Sequence, residues 1–151
     1  MGTIHVSAEA LVDAPAKTVY GYLADMREHH PRFLPAACSD FQVESGGLGA
    51  GTVIRFKIAA GGRTREYHMR VDEPLPGRVL TESDTESSLV TTFTVSPEHE
   101  SARVRIESRW DGAGGVGGFF ERLFAPRLMK RIYTEELAKL NRYAGSRRDA
   151  D

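Results

Sequence analysis

The last third of the chain constrains the fold most, because it joins two amphipathic segments of different period through a glycine loop. Ser101 to Trp110 alternates strictly after Ala102, with Val104, Ile106 and Trp110 on one face and Arg103, Arg105, Glu107 and Arg109 on the other. That two-residue period is the mark of a half-buried strand. From about Val116 to Tyr143 the spacing changes to threes and fours, which puts Phe120, Leu123, Phe124, Leu128, Ile132, Leu137 and Leu140 on roughly one side of a long helix. A sheet with one apolar face and a helix with one apolar stripe bury both by folding together. Such a pair can enclose a cavity, the natural place in it for a functional site.

Upstream, Thr3 to Val12 alternates as a strand, and Asp13-Ala14-Pro15 opens a helix, with Asp13 or Ala14 as cap and Pro15 in the first turn. Val19, Tyr22, Leu23 and Met26 form its inward face; His29-His30-Pro31 ends it, and Pro31 to Leu34 reads as a second, very short helix. Five extended segments follow: Phe41–Ser45, Thr52–Ala59, Thr64–Asp72, Arg78–Ser83 and Leu89–Ser96. Every gap is too short for a crossover helix, so the sheet is antiparallel. Alternation turns Ile54, Phe56 and Ile58 inward, then Tyr67, Met69 and Val71, then Leu89, Thr91, Phe93 and Val95. The strand around Leu80 stays open: either Leu80, Glu82 and Asp84 face in, or Val79, Thr81 and Ser83 do, since a slip of one residue exchanges the faces.

Composition narrows the classes. The 151 residues suit one domain with a real core, and 40% hydrophobic with 27% charged residues is the balance of a globular chain. A net charge of -1 argues against a nucleic-acid partner. Cys38 is the single cysteine, which excludes an internal disulfide and a thiolate-rich metal site. No secretory leader and no bilayer-spanning run is read, so the expected location is cytoplasmic.

The order of strand, two helices, six strands and long helix looks like the START-like superfamily. The stretches "VDAPAKTVYGYLADMREHHPRFLP" and "FFERLFAPRLMKRIYTEELAKLNRYA" carry the resemblance. Within the superfamily the chain resembles the bacterial polyketide cyclase/dehydrase and lipid-transport group. The resemblance covers Ile4 to Tyr143 and implies an α+β helix-grip fold. There a seven-stranded curved antiparallel sheet wraps a long C-terminal helix, and two short helices follow the first strand. Residues 1–145 form the single domain and 146–151 a frayed tail. It also implies an apolar pocket, in a protein that binds or transports a lipid, polyketide or aromatic metabolite, or else acts as a polyketide cyclase/dehydratase. No invariant catalytic motif carries over.

Phe56, Tyr67, Met69, Phe93, Trp110, Phe120, Phe124 and Met129 are expected to line that pocket, which for such ligands measures about 300–1,000 Å³. Glu82, if it faces in, is a carboxylate in an apolar cavity and a candidate acid or base. Tyr67 and His30 are the other catalytic candidates, His30 because the short second helix of such folds lies near the pocket mouth. Otherwise the five histidines read as surface or loop residues, and Cys38 as a small buried cysteine. Gly112 to Gly117 matches G-x-G-x-x-G, but no parallel strand follows the helix to supply the ribose-binding acid, so the glycines read as a hinge. No convergent ligand set is visible, and neither a metal nor a dissociable cofactor is expected. Pro126 is expected to kink the helix. The aromatic run before it suits a separate helical segment capping the pocket or a homodimer contact, ahead of a membrane-surface role.

Overall fold

The computed structural model describes residues 3–111 and 115–150, with the backbone alone described for 115–125 and 148–150. One seven-stranded antiparallel sheet holds β1 (Thr3–Val12), β2 (Cys38–Ser45), β3 (Val53–Ala60), β4 (Arg63–Leu75), β5 (Val79–Asp84), β6 (Val90–Glu98) and β7 (Ser101–Asp111). Their spatial order is β1-β7-β6-β5-β4-β3-β2, so β2 to β7 form a meander and β1 closes onto β7. β1 and β2 therefore lie at opposite edges. The segment between them, α1 (Ala16–Ala24) and a single 3-10 turn (His30–Phe33), carries the chain from one edge to the other. The final element, α2 (Gly115–Ala150), packs against β1 and the 3-10 turn.

Local chemistry explains these elements with some departures from the spacing. Pro15 sits at the N-cap of α1 rather than inside its first turn, at ψ 146, and no side chain caps the helix. A proline there loses nothing, since its absent N–H would be unpaired anyway. The expected second helix shrinks to one 3-10 turn with Pro31 near its start. β4 runs through Pro74 to Leu75, and its register with β5 shifts between Asp72 and Leu75. β2 shifts register against β3 between Ser39 and Gln42, with Asp40 at φ 53. Such bulges bend a sheet, which gives it the curvature needed to wrap a helix.

α2 is helical from Gly115, which moves Gly115 and Gly117 out of the expected hinge and into the helix. Gly112 and Gly114 lie outside the described residues. The helix continues through Pro126 and on to Ala150, past Tyr143 and across most of 146–151.

The core lies between the sheet's concave face and α2. Val104 and Ile106 from β7, Phe93 and Val95 from β6, and Leu137 and Leu140 from α2 are all buried, as are Val19 and Leu23 of α1. Each such side chain contributes about 1.5–3 kcal/mol through removal from water. The register of β5 is settled by burial. Leu80, Glu82 and Asp84 are buried and the residues between them only half so, because Leu80 is fully enclosed in the core.

Candidate functional site

Between the sheet and the middle of α2 a cavity remains. Its walls come from the inner faces of β2 to β6: Phe41, Ile54, Phe56, Tyr67, Met69 and Phe93. Met129, Ile132 and Tyr133 of α2 close it from above, and Leu34 and Pro35 after the 3-10 turn close one side. Three of the rings form a cross-strand ladder. Phe41 and Phe56 lie 6.3 Å apart and Phe56 and Tyr67 5.5 Å apart, both near parallel. The free space is about 60 Å³, far below the expected size, because these rings point into it. It is room for about two waters at ~30 Å³ each.

The floor is polar. Antiparallel pairing places Glu82 of β5 opposite Thr91 of β6, and Thr91 opposite Ser108 of β7. All three point inward and are buried. The Thr91 and Ser108 hydroxyls are 2.6 Å apart, and Ser108 in turn bonds the Tyr133 hydroxyl from α2. Burial holds the Tyr133 proton well above the usual phenol range, the Ser108 and Thr91 hydroxyls opposing it. One helical turn on, Glu136 enters the same space, only 7% exposed.

His30 completes the cluster, 2% exposed and correcting the expectation of a surface or loop residue. Its Nδ1 lies 2.7 Å from the Leu23 carbonyl, which only accepts, so Nδ1 carries a proton and Nε2 faces the carboxylates. Nε2 stands 3.5 Å from Glu136 Oε2, an ion-pair distance too long for a good hydrogen bond. Burial would lower the His30 pKa, but the Glu136 carboxylate, the charge of Glu82 and the Leu23 carbonyl outweigh it and raise the value above 6.5. Burial pushes Glu82 up to about 7, with His30 opposing the shift and Glu136 adding to it. A histidine that holds its proton more tightly beside one carboxylate, with a second carboxyl whose pKa is pushed up to about 7, is the equipment of proton transfer.

All three catalytic candidates, Glu82, Tyr67 and His30, line this cavity, together with Phe56, Met69, Phe93 and Met129 from the expected binding set. Trp110 does not. It is half-buried against the core on the inner face of β7, beyond Ser108, and is absent from the cavity wall. The side chains of Phe120 and Phe124 lie outside the described residues. Glu136 was missed, although Ile132, Glu136 and Leu140 follow one another at intervals of four on an apolar stripe, where a carboxylate is out of place. Cys38 also lines the cavity, its thiol pushed up to about 12 by burial and then by Glu136 and Glu82, so it stays protonated. Among the described residues no group of three or more His, Cys, Asp or Glu is placed to hold a metal ion. Among the same residues no helix is long and apolar enough to cross a membrane.

The geometry has relatives. The sequence profile described as polyketide cyclase/dehydrase and lipid transport matches residues 3–145. The KanY protein, solved by NMR in solution, is 35% identical, with a TM-score of 0.85 over 96% of this chain and 99% of its own. An aromatase/cyclase from Streptomyces shares the fold at 18% identity, with a TM-score of 0.77 over 97% of this chain and 96% of its own. Pathogenesis-related protein 2 of Petroselinum crispum is 32% identical over 74 residues, which is 48% of this chain and 47% of that protein, so the match spans about half of each.

Proposed function

We propose that this chain, which belongs to the polyketide cyclase/dehydrase and lipid transport family, binds a small, largely apolar molecule in the cavity between sheet and helix. The observation that carries this is an aromatic-walled cavity with a buried polar floor, lined by Phe56, Phe93 and Met129 above His30, Glu82 and Glu136. Sites for apolar ligands have this make-up: mostly apolar walls with a few convergent polar groups that fix orientation. The ligand's apolar body meets the rings and its polar end the floor. Bodies larger than the free space require the walls to yield, and Met69 and Met129 supply side chains that change rotamer cheaply.

The test is a titration with naphthalene, followed by amide chemical shifts. The expected result is perturbation along β3 to β6 and around His30. Shifts confined to the outer face of the sheet, or none, would overturn the reading.

A second reading, a cyclase or dehydratase, is favoured by the cluster itself, since a pure carrier has no need of ionisable groups in its floor. On a β-hydroxyketone, the Glu82 carboxylate removes the proton next to the carbonyl and the C–H electron pair becomes the new C=C bond. The hydroxyl leaves as water with a proton from His30, and Glu82 then returns its proton to His30. Conversion of an aryl β-hydroxyketone to its conjugated enone, followed by ultraviolet absorbance, is expected for the parent and lost in Glu82→Gln. Equal rates with and without protein would remove the enzyme.

A further inference from the structure

The floor of the cavity is one positive charge short. Glu82 and Glu136 both reach it, and His30 is the only basic side chain among the described lining residues. Glu136 Oε2, on a side chain only 9% exposed, has no hydrogen-bond partner, His30 Nε2 facing it at 3.5 Å. A buried carboxylate oxygen without a donor is unfavourable, and a ligand that brings one relieves the cost. The walls point to the same chemistry, because Phe41, Phe56, Tyr67 and Phe93 line the same cavity as the carboxylates, and aromatic ring faces attract cations.

We propose that the deep end of the cavity is a subsite for an organic monocation, a protonated amine on a small apolar body, with its ammonium held by Glu82 and Glu136. The proposal rests on the cavity being a ligand site and adds the charge of the ligand.

Charge counting makes it specific. With His30 protonated and both carboxylates ionised, the cluster carries one net negative charge in a poorly solvated space. Burial meets the deficit by favouring a proton on Glu82 near neutral pH, against the pull of His30. An ammonium brings the count to zero, so Glu82 ionises when the ligand enters and a proton leaves. A neutral alcohol gives Glu136 a donor but leaves the deficit. A carboxylate ligand adds a second uncompensated charge, which sets the site against free fatty acids.

The groups that face Glu82 support the count. They are His30 on the 3-10 turn, Cys38 on β2, Tyr67 on β4, and Tyr133 and Glu136 on α2, while β3 and β6 contribute no titratable side chain to the lining. Asp84, next on the inner row of β5, is paired with Arg65 at 3.4 Å and stands outside the cavity wall.

Phenethylamine, phenethyl alcohol and hydrocinnamate share one phenylalkyl body and differ in head-group charge. Calorimetric titration of each at pH 7, in phosphate and in Tris, reads affinity and proton release together. The amine is expected to bind roughly tenfold tighter than the alcohol, with hydrocinnamate weakest, and to release about half a proton, since a group at its pKa is half protonated. In Glu82→Gln the release disappears and the amine's advantage falls to about threefold or less; Glu136→Gln, a second variant, also loses most of the advantage. An alcohol or carboxylate that equals the amine, or amine binding without proton release, overturns the cation site. If naphthalene perturbs the cavity and none of the three compounds binds, the cation site alone falls. If naphthalene fails as well, the cavity reading falls with it.

Discussion

Replacing Glu82 with glutamine should make the protein more stable above neutral pH and leave it unchanged in acid. The carboxyl is buried, and its pKa rises from 4.5 to about 7. The folded state therefore holds a proton that the unfolded chain releases at lower pH, and stability falls as pH rises between those values. Below pH 4.5 the group is protonated in both states and costs nothing. Each pKa step of one is worth about 1.4 kcal/mol, so the ionised carboxylate costs about 3 kcal/mol above pH 7. Glutamine has the shape of the protonated acid and never ionises. Urea unfolding of parent and Glu82→Gln at half-unit steps from pH 4.5 to 8.5, followed by far-ultraviolet circular dichroism, gives the difference directly. The two should coincide near pH 4.5 and diverge by about 3 kcal/mol at pH 8. His30, whose raised pKa owes part of its shift to the charge of Glu82, also loses its stabilising contribution as pH rises, so the difference curve reads Glu82 together with its coupling to His30. Parallel curves across the range would refute the reasoning, because they would mean that water reaches Glu82 and its burial is nominal.

Further outcomes are accessible to standard measurements. Tyr20→Phe removes the 2.7 Å hydrogen bond to Glu73 and should lower stability by about 1–3 kcal/mol in denaturant titrations. Gly49→Ala should destabilise more than Gly51→Ala: both have positive φ, but a Cβ at Gly49 would stand 2.2 Å from Glu73 Oε1 while Gly51 faces open space. Comparable unfolding midpoints for the two alanine variants would contradict this. Cys38, held protonated with its pKa up to about 12, should react with iodoacetamide at pH 8 far more slowly than a free thiol, and naphthalene should slow it further.

Strand facing was legible wherever apolar residues alternate without competition, as at Ile54, Phe56 and Ile58 or at Tyr67, Met69 and Val71. It was undecidable around Leu80, where Val79 and Leu80 are equally apolar, and tertiary packing chose Leu80. That choice turned Glu82 inward, so the most informative side chain of the site hung on the one register that pattern left open. His30 was visible only through the implied position of the short helix, since nothing in its neighbourhood marks it as buried. Trp110 shows the opposite failure, because alternation gave its face correctly but not that the described cavity wall takes no side chain from β7. The size of the cavity was beyond reach of pattern, since it depends on ring orientations.

The polar floor is a rung-by-rung arrangement in which Glu82, Thr91 and Ser108 occupy neighbouring positions across β5, β6 and β7. A slip of β5 by one residue against β6 would exchange its faces and expel Glu82 to solvent along with Leu80, whose burial holds the register. Point replacement at any of the three rungs, by contrast, leaves the backbone ladder intact. Inheritance can therefore retune the chemistry of the chamber one position at a time, so long as the pairing that aligns the three rungs is kept.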